Sequence, residues 1–167
     1  MMKKSDFISI NNLNKKTAEI FAIIGGFFLC LIILIVCANV FTRKIDLPIP
    51  GDVEIVELII CVTIFFFLPY CQITKSNIKI IIFSKLFPEK LNRLLDLFGI
   101  IFFTIFAILL AWRMFLGGID FYNYNDSTMV LNISRFIFFF PITASLIVLI
   151  STCFLEIYSY VYNYYDR

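Results

Sequence analysis

Residues 20–42 read IFAIIGGFFLCLIILIVCANVFT and contain no Asp, Glu, Lys or Arg. A helix rises about 1.5 Å per residue, so this run would form a helix of roughly 34 Å, long enough to cross a hydrocarbon core of about 30 Å. No small-residue cleavage site of the A-x-A type follows it, so we expect a permanent span and not a signal peptide. Ala22, Gly26 and Cys30 lie four residues apart, a spacing that lets two helices approach closely. The stretch predicts a transmembrane helix over residues 18–42.

Three further runs without charged side chains follow at residues 58–74, 97–112 and 136–155. Apolar residues occur all round these runs, as expected where lipid surrounds the helices, and the runs lack the alternation of a β-barrel strand. Helices also satisfy every backbone hydrogen bond within the segment, which a membrane requires. Residues 1–167 are therefore predicted to form one all-α integral membrane domain, a four-helix bundle whose later spans cover residues 53–74, 94–116 and 136–157.

The composition excludes several classes of protein. The chain is 61% hydrophobic and 16% charged, whereas soluble domains are about half apolar and a quarter charged. Histidine is absent, which excludes catalysis by imidazole and His-ligated metal sites. The net charge of +2 is too small to indicate nucleic-acid binding. All five cysteines lie inside apolar spans, which argues against a disulfide framework. We therefore expect a membrane protein that is not an enzyme and has no cofactor, metal site or nucleic-acid partner.

Basic side chains are concentrated on one side of the predicted spans. Ten of the fourteen lysines and arginines lie in the two terminal segments and in the connection between the second and third spans, and four lie on the other side. The positive-inside rule therefore predicts that both termini are cytoplasmic. Trp112 ends the third apolar run on the outer side, a position typical of an aromatic side chain at the level of the headgroups.

The connection between the second and third spans mixes lysines with large apolar residues. Lys75, Lys79 and Lys85 alternate with isoleucines and phenylalanines in and beside residues 76–87. This segment is too short to cross a membrane, and its lysines suit anionic phospholipid headgroups. We predict a short amphipathic helix that lies on the cytoplasmic surface, with the three lysines at headgroup level.

Acidic residues mark the start of the second span. Asp52 and Glu54 fall in its first turn, where carboxylates favour the positive end of the helix dipole. Glu54 and Glu57 share one helix face because they are three residues apart. Two interpretations stay open here: solvation of the helix end, or contact with a partner protein or with Arg43, the nearest outer cation in the sequence.

Polar residues inside or beside the spans are few, and they are Asn39, Glu57, Gln72, Asp96 and Arg113. All lie close to predicted span ends, and none is expected at the membrane midplane. A transporter that binds its solute needs midplane polar groups or broken helices, so the chain alone is expected to be a poor carrier. The competing hypothesis is an independent small transporter that acts as an oligomer with Glu57 as its proton-coupled acid, which requires Glu57 to lie deep in the membrane.

Four features in this order resemble one known family over residues 20–155. They are the N-V-x-x-R pattern at residues 39–43, the acidic pair Glu54 and Glu57, the sequence NIKI at residues 77–80, and the sequence STMVL at residues 127–131 followed by Pro141. This layout is similar to the small membrane subunit of tripartite ATP-independent periplasmic (TRAP) transporters, the DctQ-like family. Asn77 stands where family members commonly have a histidine.

The resemblance implies a subunit of a bacterial inner-membrane transporter. In this family the small subunit pairs with a large, many-helix subunit that carries sodium and an organic acid, often a C4-dicarboxylate or sialic acid. A soluble extracytoplasmic binding protein delivers the substrate, and the small subunit extends the fixed scaffold of the elevator-type large subunit. We therefore expect Asn39, Arg43, Glu54 and Glu57 to support assembly or docking at the outer face, without contacting substrate.

Overall fold

A computed structural model describes residues 4–46, 50–74 and 89–165 of the chain. The described residues form four helices, which are α1 (Lys4–Arg43), α2 (Asp52–Ile73), α3 (Glu89–Asn123) and α4 (Phe136–Tyr165). Each contains a segment long and apolar enough to cross a membrane, which confirms the predicted all-α membrane bundle. The predicted interfacial helix over 76–87 lies outside the described residues, together with Lys75, Lys79 and Lys85 and with Asn77.

The two ends of the bundle differ in the chain segments that lie there. We call the end with the α1–α2 connection (residues 44–51) and the α3–α4 connection (residues 124–135) the loop end. The opposite end, where α1 begins and α4 finishes, is the terminal end. The α3–α4 connection contains an isolated antiparallel bridge between Ser127 and Ser134.

α1 packs through buried residues spaced seven apart, which are Ala18, Gly25, Ile32 and Asn39. A repeat of seven is the spacing of helices that pack with a left-handed crossing. A Cβ atom on Gly25 would lie 3.3 Å from the Cβ atom of Phe66 in α2, and the rings of Phe21 and Phe66 are 4.9 Å apart. Gly26 makes no close approach to another helix within the described bundle, because a Cβ atom there would meet no atom within 4 Å.

α4 is the central helix and packs against α1, α2 and α3. Its fully buried residues include Leu146, Leu149 and Cys153, which meet Val62 and Phe66 of α2 in one apolar cluster. The hydroxyl of Ser145 donates a hydrogen bond of 2.6 Å to the backbone oxygen of Phe65, so a polar side chain near the middle of the bundle is satisfied by the neighbouring helix. The interior of the described bundle is therefore mostly apolar, and Ser145 is one of the polar side chains buried in it.

α3 packs mainly on α4, along one narrow stripe. A Cβ atom on Gly118 would lie 3.0 Å from the Cβ atom of Phe139, whereas Phe102 and Trp112 are 75% and 60% exposed. The sequence suggested that Arg113 lies near the end of its span, but α3 continues for ten further residues to Asn123. One face of α3 is therefore exposed and largely apolar, and Arg113 lies within it.

Candidate functional site at the loop end

Asp52 joins the end of α1 to the start of α2. The side-chain amide of Asn39 donates a hydrogen bond to the Asp52 carboxylate, and the Arg43 guanidinium lies 3.7 Å from the same oxygen. Asn39 is buried, the Asp52 side chain is 17% exposed and the Arg43 side chain is 61% exposed. Asn39 and Arg43 are four residues apart and so share one face of α1. The predicted residues Asn39 and Arg43 thus meet, and the carboxylate that joins them is Asp52, not Glu54 or Glu57.

Gly51 allows the α3–α4 connection to lie directly against the start of α2. It caps α2 with φ of 80°, a left-handed conformation that non-glycine residues rarely adopt. A Cβ atom at this position would lie 2.5 Å from the Cγ atom of Leu131. Glycine is therefore required here both by the backbone conformation and by the close approach of Leu131.

The carboxylate of Glu54 holds the tip of the α3–α4 connection. Its two oxygens accept hydrogen bonds from the backbone amides of Val130, at 2.9 Å, and Leu131, at 3.1 Å. Bonds of this kind to an ionised acceptor are stronger than those between neutral groups. The acidic first turn of α2, which the sequence predicted, therefore serves as an anchor for a segment 76 residues further along the chain.

The α3–α4 connection is also braced internally. The buried Thr128 hydroxyl accepts a hydrogen bond of 3.1 Å from the amide of Ile133, and the Ser127 hydroxyl donates one of 2.6 Å to the side chain of Asn132. An ion pair of 3.6 Å joins Arg135 to Asp126. These contacts hold Met129, which is 95% exposed, at the tip of an ordered loop. The sequence of residues 127–131 carries part of the family resemblance, but nothing local in it indicates that these residues meet α2.

Glu57 lies apart from these contacts. It is exposed on α2, and it forms no hydrogen bond or ion pair within the described part of the chain. It follows Asp52 by five residues, which places it about 7.5 Å along the helix from the start of α2. Of the four predicted site residues, the structure therefore brings Asn39 and Arg43 together, uses Glu54 in a separate contact, and leaves Glu57 at the surface.

A second set of polar contacts ties the terminal end to α4. The Gln72 amide donates a hydrogen bond of 2.6 Å to the Glu156 carboxylate, and the Asn14 amide donates one of 2.9 Å to the Ser151 hydroxyl. The Tyr160 hydroxyl lies 3.4 Å from the Asp96 carboxylate of α3. Gln72 and Asp96 stand out in the sequence, but their partners Glu156 and Tyr160, which follow the apolar run of α4, do not.

An apolar groove and free cysteines are further features of the described residues. Among them, no group of three or more His, Cys, Asp or Glu residues could hold a metal ion, and all five cysteines are free. An open groove of about 230 Å³ lies between α3 and α4, and its lining, which includes Phe139 and Phe140, is almost wholly apolar. The polar side chains described above join helices to one another or to the loop.

Comparison with known families gives one match that covers most of the chain. The family described as "Tripartite ATP-independent periplasmic transporters, DctQ component" matches residues 32–161, from the second half of the apolar part of α1 to the last turns of α4. No individual curated protein and no solved structure matches the chain. Since the family match extends over well beyond half of the sequence and includes all four helices, this protein belongs to the DctQ family, the small membrane component of TRAP transporters.

Proposed function

We propose that this chain is the non-catalytic scaffold subunit of a sodium-coupled TRAP transporter for an organic acid, either sialic acid or a C4-dicarboxylate. In this proposal the large membrane subunit binds sodium and substrate, and an extracytoplasmic binding protein delivers the substrate. The chain lies in the bacterial inner membrane with both termini in the cytoplasm, so that the loop end faces outward. DctQ membership supports the partnership with these two components.

One observation carries the scaffold assignment. Every buried side-chain nitrogen or oxygen atom in the described residues has a hydrogen-bond partner within the protein. A site for sodium or for a carboxylate substrate needs polar groups that are free to coordinate the solute. The interior around Ser145 and Leu146 offers helix packing in place of such groups.

The surface of the bundle supports a role in assembly. Large apolar side chains are exposed along both α1 and α3, including Phe27, Leu34, Phe98 and Phe102. Such faces suit lipid or the helices of a second membrane protein. At the loop end, Glu54 fixes the loop that presents Met129, so this end offers a preformed surface for docking at the outer face.

Reconstitution into proteoliposomes tests the proposal. The chain, the large subunit encoded with it and the binding protein are combined, and uptake of labelled sialic acid and of a labelled C4-dicarboxylate is measured with an inward sodium gradient. Uptake of one of them is expected only from the complete system, and it should stop when potassium replaces sodium. Solute flux through vesicles that contain this chain alone would contradict the proposal, as would full uptake without it.

A Glu57→Gln variant separates the proposal from an independent proton-coupled carrier. Glu57 is exposed, which suits the docking role expected of it, so Glu57→Gln should weaken docking at most, and sodium-driven uptake by the complete system should persist when the binding protein is saturating. Complete loss of uptake with normal assembly would instead support a coupling role for this carboxylate.

A further inference from the structure

Two helix contacts define the depth of Arg113 in the bundle. Gly118 lies directly opposite Phe139. Because α3 and α4 are antiparallel, Arg113, five residues before Gly118, is level with residue 144 of α4. The adjacent Ser145 contacts the backbone of Phe65 in α2. Arg113 is therefore level with the middle of α2, about 18 Å from the start of that helix and about 14 Å from its end. The adjacent Trp112 lies at nearly the same depth, so this placement replaces the expectation from the sequence that Trp112 lies at the level of the headgroups.

The side chain of Arg113 is exposed at this depth. It forms no ion pair with any residue that the structure describes. Asp120 is on the same face of α3 but is seven residues away, about 10.5 Å along the helix axis, which is beyond the distance of an ion pair. An arginine exposed to hydrocarbon near the midplane is costly and is normally neutralised by a partner.

The residues around Arg113 are of the types found at interfaces between proteins. Phe102, Phe106 and Leu109 precede it at helical spacing on the same face, and they are 75%, 56% and 50% exposed. Aromatic side chains around an arginine are typical of the residues that contribute most to binding between proteins. Phe115, only two residues after Arg113, lines the groove on the other side of α3.

Charge and depth decide between the possible occupants of this face. Lipid chains carry no charge at the midplane, and the headgroups lie about 15 Å away, half the thickness of the hydrocarbon core. A second copy inserted in the same direction would place its own Arg113 at the same depth, so that like charges would meet. A helix of a different protein with a carboxylate at this depth satisfies the guanidinium and covers the apolar side chains.

We propose that the α3 face formed by Phe102, Phe106, Leu109 and Arg113 binds a transmembrane helix of the large TRAP subunit, and that this helix supplies a carboxylate opposite Arg113. The inference rests on the proposed function, because it assumes that the large subunit is the partner. Beyond that function, the inference specifies which face of this chain binds the large subunit and that the partner helix carries a negative charge opposite Arg113.

Co-purification of the two subunits in mild detergent tests the inference. The affinity tag is on the large subunit, and the yield of this chain is compared for the unchanged protein, Arg113→Leu and Arg113→Glu. We expect Arg113→Leu to lower the yield about tenfold and Arg113→Glu to lower it further, because the partner carboxylate loses its counter-ion or meets a like charge. Lys16→Leu, which removes an exposed cation of α1 near the terminal end, is the matched control and should leave the yield unchanged.

A second measurement excludes misfolding as the cause. Removal of a charge from a face that meets lipid or detergent should leave the isolated Arg113→Leu chain as stable as the unchanged chain, or more so, although its binding is weaker. In addition, Phe102→Ala should reduce co-purification, whereas Phe140→Ala should not, although both phenylalanines are highly exposed. Phe140 lines the groove between α3 and α4.

The outcomes distinguish the two proposals. If the unchanged subunits do not co-purify, the proposed function fails and this inference fails with it. If they do, and both Arg113 variants also bind normally, only the α3 interface is wrong, and a lipid or a second copy covers that face. Restoration of Arg113→Glu binding by a carboxylate-to-lysine change in one helix of the large subunit would identify the opposing residue.

Discussion

Gln72 on α2 donates a hydrogen bond of 2.6 Å to the carboxylate of Glu156 on α4, across 84 residues of sequence. Gln72 is buried, and Glu156 is partly buried. The pair joins the terminal ends of two parallel helices, while Ser145 and Phe65 join the same helices near the middle. Polar contacts therefore set the register of α2 and α4 within a largely apolar interface. Apolar packing alone specifies this register less strictly.

Loss of the Gln72 donor should destabilise the bundle. Gln72→Leu keeps much of the side-chain volume but leaves the Glu156 carboxylate without this partner, so unfolding in detergent should require about 1–3 kcal/mol less free energy. Glu156→Gln retains an acceptor oxygen for Gln72 and should cost less. A denaturant series followed by circular dichroism measures both variants. Equal losses for the two variants would show that this hydrogen bond is not what stabilises the pair.

Substitution of Gly51 should loosen the loop end. Gly51→Ala places a Cβ atom where φ is 80° and where the Cγ atom of Leu131 would be 2.5 Å away. The left-handed conformation alone costs about 1–2 kcal/mol for a residue with a Cβ atom, and displacement of Leu131 adds to that cost. The free energy of unfolding of the variant in detergent measures the sum.

A double-mutant cycle separates the two contributions. In a Leu131→Ala background the steric part disappears, so Gly51→Ala should cost less there than in the unchanged chain. Gly26→Ala is the control, because a Cβ atom at Gly26 meets nothing within 4 Å and alanine is the better helix former. An equal cost of Gly51→Ala in both backgrounds would mean that Leu131 moves aside freely.

The four helices could be predicted from the sequence because lipid imposes strict conditions on length and polarity. A run such as residues 20–42 has no other stable way to satisfy its backbone groups inside a membrane. The N-terminal boundary of α2 was also predictable, since Asp52 follows glycine and falls with Glu54 in the first turn. These features depend only on residues close together in the chain.

The partners of polar side chains were not predictable, because they depend on helix register. Asn39 and Arg43 were expected to act together, but the residue that joins them is Asp52, and Glu54 turns instead to the amides of Val130 and Leu131. Small residues are too frequent in an apolar helix to identify the packing face: the four-residue spacing includes Gly26, but Gly25 is the glycine that meets Phe66. The depth of Arg113 likewise can be inferred only from the contact of Gly118 with Phe139, which the sequence does not reveal.

Asn39 and Arg43 should differ in their importance, although both contact Asp52. Asn39 is buried, and Asn39→Ala leaves the Asp52 carboxylate without its amide donor, which should cost about 1–3 kcal/mol of stability. Arg43 is mostly exposed and 3.7 Å away, so Arg43→Ala should cost at most about 1 kcal/mol. Unfolding in detergent and subunit co-purification should both be more sensitive to Asn39. The reverse order would indicate that Arg43 itself contacts a partner.

Glu54 and Glu57 form a matched pair of carboxylates near the α3–α4 connection, and only Glu54 bonds to it. Glu54→Gln keeps one acceptor oxygen but replaces the second with an amide group that cannot accept, so one of the two bonds from Val130 and Leu131 is lost. Hydrogen exchange at these two amides should therefore accelerate. Glu57→Gln makes the same chemical change one helical turn away on an exposed side chain and should leave their exchange unaltered.

Uptake by the reconstituted transporter should also respond to the loss of the Glu54 carboxylate. If the ordered loop is part of a docking surface, Glu54→Gln lowers uptake by the reconstituted transporter most strongly when the binding protein is dilute, because a looser loop must be ordered on binding. A saturating concentration of binding protein should then restore most of the rate. Faster exchange at Val130 and Leu131 with unchanged uptake at every concentration would show that the Glu54 contact stabilises the fold of this subunit and has no part in docking.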